Sequence, residues 1–285
     1  MISNKTKGVF WMLVSVLGFT FMAIAVKYLP RIPTYEKVFF RNSVSLMLSA
    51  FILFRQKESI KVEKANIPFV FGRSFFGFIG MVANFYALEN LTMAEANMLN
   101  KLSPVFVTIC ACIFLKERVD KKQVIGIILM LLAVVFVIKP SFSPEVIPSL
   151  AGLFSAILAG FSYTIIRYLN GKVKSEINVF YFSLLSVVCT FPLMMMNFVK
   201  PTLSEFLILL GGIGISAAMG QFGLTYAYTF APASEVSIYN YVIIITSMLM
   251  DYVLFSTIPD LFSFIGGFMI MTTAIYLYIH NKKKK

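Results

Sequence analysis

Charge is what this chain has least of. Only 13% of its 285 residues are Asp, Glu, Lys or Arg, against about 25% in an ordinary soluble domain. Hydrophobic residues make up 59%, where about 45–50% is usual. A soluble globule of this size could not hide so much apolar surface, so the solvent of this chain is lipid. Histidine is scarcer still: the single one, His280, stands near the C-terminus. That leaves no cluster of metal ligands and no base beside a serine, so a membrane enzyme has no visible chemistry, no metal site is expected and no cofactor is called for. The three cysteines, Cys110, Cys112 and Cys189, all lie in apolar segments. Cys110 and Cys112 point to different sides of a helix, so they read as small core residues and not as a disulfide or metal site.

Apolar runs, by contrast, fill the chain. A spanning helix needs about 20 mostly apolar residues, and on that measure ten spans fall near 8–29, 35–54, 67–88, 94–115, 123–139, 149–169, 177–198, 204–227, 234–255 and 261–280. The first is too long for a signal-peptide core and lacks a small-x-small cleavage site, so it reads as a span. The net charge of +12 sits in loops and in the tail Lys282 to Lys285, a pattern of membrane topology and not of a nucleic-acid footprint. With the N-terminus inside, the inner segments hold Lys5, Lys7, Arg55, Lys57, Lys61, Lys64, Lys116, Arg118, Lys121, Lys122, Lys172 and Lys174, and the outer ones only Arg31, Lys37, Lys139 and Lys200. Lys and Arg favour the cytoplasm, so both termini are expected there, in a multi-pass protein of the cell membrane.

The chain also resembles itself. An offset of 140 places Lys27-Tyr28-Leu29 on Arg167-Tyr168-Leu169 and Glu36, Phe40 and Ser43 on Glu176, Phe180 and Ser183. Without a gap it then pairs Gly80, Tyr86, Ala87, Glu95, Asn100, Asp120 and Gly126 with Gly220, Tyr226, Ala227, Glu235, Asn240, Asp260 and Gly266. Matches among Gly, Glu, Asn and Asp carry more weight than matches among Leu and Phe. The reading is an all-α integral membrane protein of ten transmembrane helices, built as two inverted five-helix repeats, residues 1–140 and 141–285. Five is odd, so the second half is upside down relative to the first, and halves related in this way suit alternating access.

These residues resemble the drug/metabolite transporter superfamily, and in particular its EamA-type ten-helix members. The resemblance rests on Phe40-Arg41, Tyr86-Ala87-Leu88, Pro104, Leu115-Lys116-Glu117-Arg118 and Gly126, echoed by Gly220-Gln221, Tyr226-Ala227 and Ser237-Ile238-Tyr239. Ile244 and Thr257 depart from it, standing where a proline and an acidic residue are expected. The resemblance implies spans one to four and six to nine around a central cavity, five and ten at the periphery, and solute export or uptake driven by a gradient or by exchange. Independently, the fifth and tenth spans have no charge in their interiors. Small residues at i, i+4 (Ala83/Ala87, Gly212/Ser216/Gly220, Gly223/Ala227) read as close helix packing.

Charges at membrane depth cost at least about 2.5–3.5 kcal/mol each and should face protein or water. Three stand out: Arg41, Lys101 and Asp251, lying roughly 9, 10 and 6 Å in from the outer ends of their spans at about 1.5 Å per residue. Lys101 shares a helical stripe with Asn97, Pro104 and Thr108, with Asn100 beside it. Ser237, Asn240, Tyr241, Ser247 and Asp251 form a second stripe in the repeat-equivalent span. Arg41 and Lys101 could attract an anionic group, with Asp251 holding an ammonium or carrying a proton. Alternatively Asp251 neutralises one of these bases in an ion pair, and Arg41 snorkels to the interface. Glu95 and Glu235 begin equivalent spans and would either cap them or serve in gating and proton coupling. Asn100 and Asn240 would bond a substrate or hold adjacent helices. Among the aromatics Tyr239 and Tyr241 could line the cavity, although i and i+2 positions diverge on an α-helix.

The function expected is secondary transport of a small organic metabolite, an amino acid or another zwitterionic or anionic solute, across the cytoplasmic membrane. Coupling would be to protons or to exchange. An exporter of amphipathic cationic or aromatic compounds is the alternative within transport. An integral membrane enzyme or a receptor has no need of the repeat. The partners are the small-molecule substrate and the lipid bilayer, with the chain a monomer or homodimer.

Overall fold

The computed structural model describes residues 4–114, 116, 119–139, 146–231 and 236–282. Among them ten helices are long and apolar enough to cross a membrane. They are α1 (Asn4–Tyr28), α2 (Thr34–Arg55), α3 (Ile67–Asn90), α4, α5 (Lys121–Ile138), α6 (Ile147–Leu169), α7 (Ser175–Met196), α8, α9 and α10 (Leu261–Lys282). Three are irregular. α4 comes in two pieces, Met93–Asn100 and Ser103–Phe114; α8 runs through Leu203–Leu207, a π-helical stretch Ile208–Ile215 and Ser216–Phe230; α9 opens as a 3-10 turn, Ser237–Tyr241, and continues as Val242–Phe255.

Local chemistry sets several of these ends. Thr92 and Glu95 form a reciprocal capping box at the start of α4, Asp120 and Gln123 another at α5, and Thr202 and Glu205 a third at α8. Each satisfies two backbone or side-chain groups that the first helical turn leaves orphaned. Asp120 and Asp260 are repeat partners, and both cap: the Asp260 carboxylate accepts the Ser263 amide at the start of α10 at 2.9 Å.

The packing has the symmetry that an offset of 140 requires. α1 lies along α8 and α3 along α6, the pairs that exchange when each helix is replaced by its counterpart, while α2 packs on α7, α4 on α9 and α5 on α10. Single residues obey the same exchange. A Cβ on Gly126 would come within 2.6 Å of Leu277, and one on Gly266 within 2.6 Å of Val137; Val137 and Leu277 are themselves 140 apart. The expected boundary between the halves, 140/141, touches residues outside those described.

In a bilayer, helices associate through close van der Waals packing, and the small residues flagged in the sequence serve it. Gly18 of α1 and Gly220 of α8 meet so closely that a Cβ on Gly18 would lie 2.5 Å from the Gly220 nitrogen. Gly212 and Gly223 contact Ala25 and the Trp11–Ser15 backbone of the same helix. α4 is buried over most of its first piece. Its Met93 and Ala96 join a cluster with Val26, Phe85, Leu88 and Ile213, and its Met98, Leu99 and Leu102 join a second with Met130, Ala156, Ile244 and Ile270. α5 instead turns Ile125, Ile128, Leu132 and Val135 outward, about half exposed, as a lipid-facing peripheral helix would.

Candidate functional site

The break in α4 has a local cause. Pro104 has no N–H, and its ring would clash with the carbonyl of Asn100 four residues earlier, so the first piece stops at Asn100. Lys101 becomes its C-cap, its amide bonded to the Asn97 carbonyl at 2.9 Å. A cation at a helix C-terminus is favoured by the dipole. The repeat partner of Pro104 is Ile244, which keeps its N–H; there α9 tightens into a 3-10 turn over Ser237–Tyr241 and does not stop. The two irregular stretches meet. Lys101 Nζ donates to Asn240 Oδ1 at 3.2 Å, and the Tyr241 hydroxyl to the Lys101 carbonyl at 3.4 Å. Lys101, Asn240 and Tyr241 therefore form one cluster at the interface of the two halves, where discontinuous helices of transporters place their solutes.

The other residues of the α4 stripe diverge from it because the helix does not continue straight through 101. Asn97 donates to the Met93 carbonyl at 2.9 Å and to Ser247 Oγ of α9 at 2.8 Å, while Asn100 reaches Ser155 of α6 at 3.4 Å. The Thr108 hydroxyl bonds back to the Pro104 carbonyl. Tyr239 and Tyr241 both line an apolar pocket of ≈ 400 Å³ with Met271 and Tyr278 of α10. This differs from the divergence expected of i and i+2 because the stretch is 3-10: at 3.0 residues per turn the two lie roughly 120° apart, against roughly 160° in an α-helix.

Asp251 is fully buried in α9 and makes no ion pair among the described residues. Its two carboxylate oxygens accept the amides of Met93 at 3.1 Å and Ala94 at 2.8 Å, closing off the N-terminus of α4 from a neighbouring helix. Glu95, one residue on, does more than cap. Lys139 Nζ approaches it at 3.0 Å and the Ser263 hydroxyl at 2.5 Å, and Lys139 also meets Asp260 at 2.7 Å. This network ties α4, α5 and α10 together on the face opposite the termini. Burial works against the charge on Asp260 and on Lys139, but the bond between them outweighs it together with the Ser263 bonds to Asp260 and the Glu95 carboxylate beside Lys139, holding the Asp260 carboxyl below its ordinary range and the Lys139 ammonium above its own. Glu235 lies outside the described residues.

Arg41 is buried, 6% exposed, so it does not snorkel. Its Nη1 donates to Asn42 Oδ1 at 2.9 Å, and its guanidinium stands 5.6 Å from the centroid of the Phe182 ring of α7. A residue not singled out in the sequence joins it there: Arg73 of α3, 4% exposed, lies 4.1 Å from the centroid of the same ring. Its signal was present, a lone charge six residues inside the third apolar span, but its distance from the polar stripes hid it. Neither arginine nor Lys101 has a carboxylate partner among the described residues.

Comparison with known proteins places this architecture. Residues 6–139 match the EamA-like transporter family. The pseudopaline exporter CntI of Pseudomonas aeruginosa is 30% identical over 248 residues, covering 86% of both chains. The S-adenosylmethionine uptake transporter of Rickettsia conorii is 26% identical over 97% of this chain and 94% of its own, and the mouse solute carrier family 35 member G1 is 24% identical over 91% and 74%. A protein crystal structure shares the fold at a TM-score of 0.69, covering 98% of both chains at 18% identity. With its ten helices, inverted packing and these relatives, the chain belongs to the EamA-like transporters of the drug/metabolite transporter superfamily, multi-pass membrane proteins of small solutes.

Proposed function

We propose that this protein is a secondary transporter carrying a small organic metabolite with an anionic or zwitterionic head, an amino acid or related solute, across the cytoplasmic membrane by alternating access. Both termini are cytoplasmic in this reading, and a proton gradient or exchange drives the movement. The observation that carries it is Lys101, a buried ammonium at the break of α4 whose polar partner is the neutral Asn240 at the equivalent stretch of α9. A buried charge with no counter-charge is costly, and a solute carboxylate supplies one when it binds. Lys101 is then the anchor, and Asn240 and Tyr241 orient what it holds. The N-terminal end of Ser103–Phe114, just beyond Lys101, adds a dipole of the sign that favours an anion.

Asp251 and Glu95 have a different part in this reading. They hold the end of α4 in place, so that the lysine is presented at a fixed depth. The relatives' names support an organic solute, and S-adenosylmethionine has an amino-acid end of the kind proposed. One relative is named for export and another for uptake, so direction is a property of each transporter and not of the fold. An amphipathic cation fits less well, because Lys101, Arg41 and Arg73 would all repel it.

The test is reconstitution into liposomes and a metabolite-library uptake screen at two pH values. Protein-dependent flux of an anionic or zwitterionic solute, lost in Lys101→Ala with the fold retained, is the expected result. Absence of flux for every solute under several gradients would overturn the transporter reading. Flux that survives Lys101→Ala would overturn the site.

A further inference from the structure

Arg41 and Arg73 belong to different helices, yet both guanidinium groups stand over one ring, at 5.6 and 4.1 Å from the centroid of Phe182. The Arg41 Nε, Arg73 Nε and Arg73 Nη1 atoms are buried without a hydrogen-bond partner. Four carboxylates among the described residues have partners of their own, and none of them bonds either arginine. Glu36 takes the Val199 amide, Glu89 pairs with Lys37, Glu95 with Lys139, and Asp251 holds the start of α4. Stacking on an aromatic face compensates part of the cost of each cation. It leaves Arg41 Nε and Arg73 Nε and Nη1 without acceptors, while Arg41 Nη1 stays with Asn42, and guanidinium donors match a carboxylate through two parallel bonds. Room for the convergence comes from Gly77, where a Cβ would lie 3.1 Å from the Phe182 ring and 3.3 Å from Arg73 Nη1. Lys101 is a separate point charge: its Nζ donates to Asn240 Oδ1, and its backbone carbonyl accepts the Tyr241 hydroxyl.

We infer that Arg41 and Arg73, both against the Phe182 ring, form a carboxylate subsite distinct from Lys101, and that the transported solute carries at least two carboxylates. The inference rests on the transporter reading and sharpens it: Lys101 takes one anionic group and the arginine pair the other. All three cations are buried, so a solute reaches them only when helices part on one side, as alternating access requires.

The experiment uses the full chain purified in detergent and reads the shift of its thermal unfolding midpoint with glutarate, a dicarboxylate, and butyrate, a monocarboxylate of similar length, at matched ionic strength. A ligand that binds only the folded state raises the midpoint by mass action. The wild type is expected to respond to glutarate at concentrations about tenfold or more below those for butyrate, as charge-assisted bidentate bonds imply. Arg73→Gln should remove that preference and leave the butyrate response in place, while Lys101→Ala should weaken both. Arg41→Gln gives the same readout should Arg73→Gln not fold, and Arg73→Lys should restore part of the preference. A wild type indifferent to the second carboxylate, or glutarate preference persisting in Arg73→Gln and Arg41→Gln, overturns the subsite. Flux in liposomes decides the transporter reading separately, since a protein that moves solutes while ignoring the second carboxylate loses this inference alone.

Discussion

Asp251, in the ninth helix, accepts the amide of Ala94, the second residue of the fourth helix, at 2.8 Å, and its other oxygen accepts that of Met93. A membrane-buried acid is thereby used as a helix cap from outside the helix. Removing it strands two buried N–H groups, each costing about 1–3 kcal/mol. Asp251→Leu should therefore lower the unfolding midpoint in detergent strongly, and Asp251→Asn, which keeps one acceptor, less. A variant of wild-type stability that had lost only transport would show that the carboxylate serves the solute instead.

Lys101 and Asn240 should behave as a coupled pair. In a double-mutant cycle of Lys101→Ala and Asn240→Ala the interaction energy is expected to lie at about 1.5–3 kcal/mol, the range for a hydrogen bond to a charged group. It is read from solute-induced stabilisation or from initial flux. Additive losses would place the two residues in separate sites.

The contact of α1 with α8 has almost no tolerance at its centre. A Cβ on Gly18 would meet backbone at 2.5 Å, whereas one on Gly211 would meet nothing within 4 Å. Gly18→Val should fail to accumulate as a monodisperse protein, and Gly211→Ala should elute and melt like the wild type. Size-exclusion profiles of the two variants check this directly.

The Lys139–Asp260 bond, on the face opposite the termini, predicts a two-sided pH profile. The Asp260 carboxyl is held down, so its contribution is present above the unfolded value of about 3.9 and is lost as pH falls through the lower folded value. The Lys139 ammonium is held up, so its contribution is complete below about 10.4 and is lost as pH rises through the higher folded value. Both groups are partly exposed, so each limb is small. Plotting the unfolding midpoint against pH for wild type and Asp260→Asn should show both limbs in the first and smaller limbs in the second, the alkaline one kept in part by the Lys139–Glu95 contact.

Some residues disclosed their place in the sequence and others could not. The ten spans, the inverted register and the packing role of Gly220 were legible, because apolar length, charge placement and small-residue spacing are written along the chain. Lys101 was legible as a charge at depth, and Pro104 stands three residues on. Arg73 was equally visible as a charge, but nothing linear connects it to Arg41, 32 positions away. Asp251 shows the same limit from the other side: its depth could be counted, while its partners could not, since those are amides 157 and 158 residues distant.

Sequence alone thus determined that this protein lives in lipid, crosses it ten times and repeats itself upside down, because burying apolar length and excluding charge are properties of each segment by itself. Only the tertiary structure decided which charges meet. Whether a buried cation finds a carboxylate, a neutral amide or another cation depends on which helix faces it and in what rotation. That is fixed by close packing between segments far apart in the chain, as where Gly18 meets Gly220.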